Sequence, residues 1–403
     1  MARLVVLNDS GLAAGGATKL AIESAIGARS HGWDVDFFAQ AGKLDQRLSK
    51  AGVNVHSVSG ARVSSKSPFS ALQSGLWNAR ALEEISNYIE AHDDKNVVYH
   101  LHNWSHFFSP AIFRALAQVQ ARMVLTTHDF FLSCGNGGQF NFKKNIICEK
   151  TGNSLGCLVT NCDKNSVIHK IWRAGRHAIR ANVFPLDQFE GRVALIHEKQ
   201  RPYFERAGLA KEQISTIKNP VTALVGRRVE AEKNKKLLFI GRISIEKGAD
   251  IAAEAAFKSG MEIVFAGNGP LISKLKADYP NAKFAGFCSR DQLADLMRSS
   301  RALIMPGRWA EPFGLVAGEA LWSGVPVLIS ETAFLAGDII AAGAGLSFNP
   351  LKVDNVIDVI HQIKSDDLIV RKMSNAAFSN VKSIANTHEK WIGQYNDLYG
   401  SLV

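Results

Sequence analysis

The segment spanning residues 302–329 constrains the fold more than any other stretch of the chain. Residues 302–305 and 325–329 are short apolar runs of strand length, and a Pro- and Gly-bearing loop between them opens a helix near Phe313 or Gly314. Strand, loop, helix and strand in that order make one unit of a parallel α/β sheet. Two carboxylates, Glu311 and Glu319, stand eight residues apart around the turn. An isolated pair of this kind is an ordinary solvated helix face. Here Gly314, Gly318 and Gly324 each cost helix stability, so the segment asks for a packing or functional reason. The first N–H groups of such a helix favour an anion, phosphate most of all. Carboxylates on the loop and one turn or so into the helix can grip hydroxyls beside it. Hydroxyls next to a phosphate describe a sugar nucleotide.

Residues 236–248 carry a matching set of cations. The run 237–240 reads as a buried strand that Gly241 breaks into a loop, at the strand end where open α/β sheets bind ligands. Arg242 offers a planar fork for two phosphate oxygens, and Lys247 a compact point charge. A lone Arg or Lys is usually a surface cation, but Gly248 and the apolar helix at 249–257 argue otherwise. A further strand at 263–266 runs into Gly267-Asn268-Gly269-Pro270, a tight turn that lets backbone approach a nucleotide. A lone Gly-x-Gly is weak evidence, and this one gains weight from its position.

Taken in order across residues 236–330, Gly-Arg-x-x-x-x-Lys-Gly, Gly-x-Gly-Pro and Glu-Pro-Phe-Gly-x-x-x-x-Glu-Ala-x-x-x-Gly-x-Pro-Val resemble family 4 of the retaining glycosyltransferases, glycosyl transferases group 1. The resemblance is dense there and scattered over the N-terminal half. It implies the GT-B fold: two facing Rossmann-like, doubly wound parallel-sheet domains with an interdomain cleft. It also implies a nucleoside-diphosphate sugar donor, with Arg242 and Lys247 on the diphosphate. Glu311 and the backbone of Phe313, Gly314 and Leu315 would hold the sugar, Glu319 the ribose hydroxyls, and the turn Gly267, Asn268 and Gly269 would border the nucleotide.

The 403 residues suffice for two α/β domains. A hydrophobic content of 46% with 21% charged residues excludes a disordered chain. No apolar run reaches the roughly 18 residues of a membrane span. The opening residues read as a first strand rather than a signal peptide, so a cytoplasmic location is expected. Of the net charge of +10, residues 1–218 hold 26 Lys and Arg against 18 Asp and Glu, hence +8. This asymmetry points to an anionic partner on the N-terminal side. No recognised nucleic-acid motif is present, so nucleic acid is not expected. A membrane surface on its inner face, or a lipid diphosphate acceptor, fits better. The stretch 170–180 mixes Lys170, Arg173, Arg176 and Arg180 with Trp172, and reads equally as a bilayer-binding surface or a helix with one solvated face.

In the N-terminal half, strands are expected at 4–7, 35–38, 97–101 and 123–126, and a helix at 17–30. Gly15 and Gly16 lie at the first strand-to-helix turn, where backbone can approach a ligand. Gly11, Gly15 and Gly16 lack the spacing of a dinucleotide fingerprint. In the resembled family this loop borders donor phosphate and acceptor, and His128 matches the position of a histidine near the transferred sugar. His102 tops another strand and is a candidate for the acceptor. Four cysteines, Cys134, Cys148, Cys157 and Cys162, fall within 29 residues, with 13, 8 and 4 residues between them. Their spacing has no paired knuckles, and leaves open a structural zinc clip or free thiols. No Asp-x-Asp stands near the donor motifs, so no cofactor or metal is expected in catalysis.

A strand at 214–217 ends in Lys218-Asn219-Pro220, and a polar run at 230–236 follows. This divides the chain into an acceptor-side domain (1–218), a donor domain (219–385) and a last helix (386–403). By resemblance that helix returns to the first domain. The family usually has Gly after the seam Asn, where Pro220 stands here. The expectation is a retaining glycosyltransferase acting on a glycan or lipid-linked hydroxyl in surface-polysaccharide synthesis. A GT-B epimerase and an inactive nucleotide-sugar-binding scaffold are the alternatives.

Overall fold

The computed structural model describes residues 2–13, 15–60 and 68–403. Ala14, inside the loop between Gly11 and Gly16, lies outside them. The chain packs as two units. One comprises Met1–Gln139, Cys148–Ile217 and Glu389–Val403, and the other Phe140–Ile147 and Lys218–His388.

In chain order the strands are β1 Arg3–Leu7, β2 Asp34–Gln40, β3 Asn54–Val58, β4 Val97–Leu101 and β5 Met123–Thr127, followed by the short antiparallel pair β6 Phe140–Asn141 and β7 Ile146–Ile147. Then come β8 Arg192–Leu195, β9 Ile214–Thr216, β10 Lys236–Ile240, β11 Glu262–Ala266, β12 Lys283–Gly286, β13 Ser300–Met305, β14 Val327–Ser330 and β15 Gly345–Phe348. The first unit holds a parallel sheet in the order β3-β2-β1-β4-β5-β8-β9, and the second a parallel sheet in the order β12-β11-β10-β13-β14-β15. Both are doubly wound. Every residue of β4, β5 and β14 is buried, because helices cover both faces of a parallel sheet.

Each sheet reverses its winding once, between β1 and β4 and between β10 and β13. At such a switch point the flanking loops diverge and leave a crevice above the carboxyl ends of the strands. The strand-end residues of interest therefore gather at two places, one per unit.

Where the elements differ from expectation, local chemistry explains it. β14 starts at Val327 rather than 325, since Pro326 has no N–H to give the ladder. The crossover helix runs Leu315–Trp322, after Gly314 at φ 72°. Unforeseen β3, β12 and β15 are edge strands with exposed positions, so they lack a continuous apolar run. The last helix, His388–Gly400, buries Trp391, Ile392, Tyr395 and Tyr399. It lies against the helix Gly16–Ser30, where a Cβ on Gly27 would come within 2.1 Å of Ile392 Cδ1.

Candidate functional site

In the second unit, β10 ends in Gly241, whose φ of 144° turns the chain into a loop closed by Gly248 at φ 72°. Space at Gly248 is already taken, because a Cβ there would lie 1.9 Å from Pro306 O. The helix Ala249–Ser259 follows directly. The turn after β11 is zipped onto this loop: Gly241 N–H donates to Ala266 O (2.9 Å) and Ile243 N–H to Asn268 O (3.0 Å). A Cβ on Gly267 would meet Gly241 O at 2.0 Å, and one on Gly269 would meet Ile243 O at 2.1 Å. The glycines of the Gly-x-Gly turn thus serve loop-against-loop packing, whatever else approaches them.

The loop after β13 meets the same place. Arg308 pairs bidentately with Asp250 at 2.8 and 2.7 Å, and also donates to Ile245 O. These contacts tie the two loops together and bring Lys247 to Glu311, whose carboxylate it pairs with. Trp309 Nε1 donates to the same Glu311 oxygen at 2.9 Å, and Lys247 Nζ stands 4.8 Å from the Trp309 ring centroid. Sequence reasoning missed Asp250, Arg308 and Trp309. The only signal was a Trp and an Arg in a loop already marked as functional.

Arg242 leaves the same loop exposed and, among the described residues, without an ion pair. Phe313 is buried, and Gly314 sets the left-handed entry to the helix Leu315–Trp322, whose first N–H groups have no partner within the helix. Glu319, one turn on, lies 3.9 Å from Arg290. Gly318 is required by packing, since a Cβ would sit 2.6 Å from Val221 Cγ1.

In the first unit, the ends of β1, β4 and β5 bring together Asp9, His102, His128 and Asp129. Asp9 accepts from the N–H groups of His106, Phe107 and Phe108, which fixes the loop after β4. His102 is buried and both its nitrogens are used: Nε2 lies 3.1 Å from Ser24 Oγ and Nδ1 2.9 Å from His128 Nε2. It therefore orients His128 rather than meeting an acceptor itself. Burial holds both rings neutral, with the His102 pKa well below the usual range and that of His128 lowered to about 4. The Ser24 hydroxyl proton goes to Ala21 O (2.8 Å), so we assign the His102 proton to Nε2 and that of His128 to its own Nε2. His128 Nδ1 is then an acceptor. Asp129 is pushed up to about 6 by burial, with Phe131 N–H opposing and the nearby Asp9 reinforcing the shift. Behind this group His100 joins Thr126 (2.7 Å) and Tyr399 (2.6 Å), and Thr126 meets Tyr395 (2.8 Å). Gly15 and Gly16 begin the helix Gly16–Ser30, and a Cβ at Gly15 would meet nothing within 4 Å.

The cations of 170–180 do not form a membrane-facing surface. Arg180 donates to Phe184 O and Leu132 O, and Arg176 to Ser105 O, with its guanidinium near the rings of Trp104, Phe131 and Trp172. Both are buried, and burial lowers each pKa to about 10. Cys134, Cys148, Cys157 and Cys162 form no disulfide. Cys134 Sγ lies 3.2 Å from Asn136 Oδ1, and Cys157 Sγ 3.2 Å from Lys170 Nζ. Among the described residues no group of three or more His, Cys, Asp or Glu is arranged to hold a metal ion. Burial pushes the Cys134 thiol up to about 11, and Cys162 and Cys148 lie near enough to reinforce the shift.

Residues 224–380 match the family Glycosyl transferases group 1. The match lies within the second unit and covers most of it. An uncharacterised 42.6 kDa protein from the cps region of Klebsiella pneumoniae is 26% identical over 261 residues, covering 64% of this chain and 62% of that protein. The chain thus spans less than two thirds of this relative. Among solved structures, sucrose-phosphate synthase from Thermosynechococcus elongatus superposes with a TM-score of 0.73 at 17% identity, covering 99% of both chains. HepE from Anabaena, solved with UDP and glucose, gives a TM-score of 0.70 at 16% identity over 100% of both. At these identities the likeness is one of fold, and the fold is GT-B.

Proposed function

We propose that this chain is a retaining glycosyltransferase that moves a sugar from a nucleoside-diphosphate sugar to a hydroxyl of a glycan or lipid-linked acceptor in surface-polysaccharide synthesis. The observation that carries the reading is the group Lys247, Trp309 and Glu311, held at the strand ends beside exposed Arg242 and the opening of the helix Leu315–Trp322. Cations that meet a diphosphate and a carboxylate that meets sugar hydroxyls stand in one constellation. The GT-B neighbour solved with UDP and glucose supports the choice of donor.

In this mechanism Arg242 and Lys247 stabilise charge as it builds on the departing diphosphate. Glu311 and the backbone after Phe313 hold the sugar, and Glu319 holds the ribose. His128 Nδ1 accepts a hydrogen bond from a sugar hydroxyl, with no proton transferred. The bond from anomeric carbon to phosphate oxygen breaks, and the acceptor oxygen bonds to that carbon from the same face. The acceptor's proton passes to the leaving diphosphate. No enzyme nucleophile is assigned, so no covalent intermediate is drawn. Work at the inner face of a membrane is part of the proposal, supported by the charge of residues 1–218. No described helix is long and apolar enough to cross one.

The test is release of nucleoside diphosphate across UDP-, GDP- and dTDP-sugars. One donor should be turned over, and Arg242→Ala and Glu311→Ala should abolish it. Stabilisation by no nucleotide at all would overturn the donor site. Binding of a donor with no turnover under any acceptor would favour the scaffold.

A further inference from the structure

The helix Val167–Val183 is built inside out. Its buried residues are Lys170, Arg176, His177 and Arg180, whereas Val167, Ile168 and Ile171 lie on the outside. Ile168 is 78% exposed and Ile171 66%. The one-turn helix Leu155–Leu158 repeats the pattern, with Leu155 84% exposed and Val159, just past its end, 83%. The two helices are joined through Lys170 Nζ to Cys157 Sγ (3.2 Å), and Asn153 Nδ2 donates to Ala174 O (3.3 Å). Trp172 Nε1 donates to Leu72 O, which brings in the helix Pro68–Leu76 and its exposed Leu72. Scattered single aliphatics are normal on a surface. A helix that buries its cations and exposes adjacent isoleucines has an apolar partner outside.

Charge decides what kind. With the inward cations of 170–180 set aside, the exposed charges of residues 133–183 are Lys143, Lys144, Lys150 and Lys164 against Glu149. Lys150 and Lys164 are exposed in the segments flanking Leu155 and Val167. Two copies of so basic a segment repel each other across an isologous contact. An anionic bilayer attracts it, and admits the aliphatic side chains to the acyl boundary.

We propose that Leu155, Val159, Ile168 and Ile171 form a docking surface that inserts into an anionic lipid bilayer. This deepens the proposed function by naming the face that meets the membrane, and rests on that reading only for its purpose. The surface differs from the basic stretch that the sequence suggested. The cations of that stretch turn inward to order the Cys-bearing insertion, and its aliphatic residues do the docking.

The test is co-sedimentation of the full chain with phosphatidylcholine vesicles and with vesicles containing phosphatidylglycerol, at low and high salt. Wild type should bind only the anionic vesicles. Ile168→Glu/Ile171→Glu should weaken partitioning at least about tenfold, since it replaces two inserting side chains by like charges to the lipid. Leu368→Glu, an equally exposed leucine in the second unit, should bind as wild type. Donor binding by thermal shift in the absence of vesicles should be the same in all three proteins, which checks folding and separates this proposal from the donor site. Failure of wild type to bind anionic vesicles at low salt, or a double variant that binds normally, would overturn it. So would a wild-type dimer in light scattering that the double variant turns into monomer, because the face would then be a contact between copies.

Discussion

At Glu311 one carboxylate answers to both Lys247 and Trp309. A charged pair beside an indole is pre-set for a ligand that carries both phosphate and hydroxyls, because each partner can turn to it without first being ordered. Replacing Lys247 by Ala should cut sugar-nucleotide turnover by about 10²–10³, the usual effect of removing one charge-stabilising donor. Trp309→Phe keeps an aromatic face but removes the N–H, and should cost about 1 kcal/mol, a factor of about 5. Steady-state release of nucleoside diphosphate checks both, and an unchanged Lys247→Ala would refute the role of that cation. His128 gives a spectroscopic prediction. Nitrogen-15 NMR should show a neutral ring protonated on Nε2 down to about pH 5, since burial lowers its pKa to about 4. A ring that titrates near the ordinary value of about 6.5, or carries its proton on Nδ1, would contradict the assigned chain through His102 to Ser24.

Glycines separate two kinds of element. At Gly267 and Gly269 an added Cβ meets a backbone carbonyl at 2.0 and 2.1 Å, and neither loop can yield without breaking the bonds that zip them. Gly269→Ala should therefore destabilise by about 2 kcal/mol or more, with a loss of donor binding that follows the displaced loop. Gly175 lies inside the helix Val167–Val183 with nothing within 4 Å of an added Cβ, so Gly175→Ala should stabilise by about 0.5–1 kcal/mol. Urea midpoints of the two variants settle both signs. These elements also show how far the sequence could be read. The Gly-x-Gly turn was legible as a turn, because such spacing after an apolar run has few other uses. Its partner was not, since nothing local says that the space over Gly267 belongs to Gly241. The inverted polarity of Val167–Val183 was hidden for a similar reason: Arg176 and Arg180 find their carbonyl and ring partners far along the chain.

Across the molecule, buried histidines make acid the vulnerable direction. His100 and His102 are held well below the usual range, His128 at about 4 and His177 at about 3, chiefly by burial. The unfolded chain takes up protons at these sites near pH 6.5, whereas the folded chain does not until far lower. Stability is therefore lost as pH falls from about 6.5 through about 4. Asp129 acts in the opposite sense, since its raised value relieves a penalty as pH falls through about 6, but it is one group against four. Unfolding free energy should drop between pH 7 and pH 5. Urea denaturation at both pH values measures it, and a flat profile would mean that the rings are hydrated.

By itself the sequence determined the parallel α/β class and the central strands, and it marked the residues from Arg242 to Glu319 as candidates for a donor site. Those signals are local: apolar runs covered on both faces, glycines at strand ends, and charges set at fixed offsets from them. Only the tertiary structure decided that Arg308 and Asp250 lock the loops after β10 and β13 together, that His102 serves His128, and that Lys170, Arg176 and Arg180 turn inward. Each of these depends on hydrogen bonds or ion pairs between segments far apart in the chain. Such partners are chosen by the packing of the sheet and helices, which no single segment encodes.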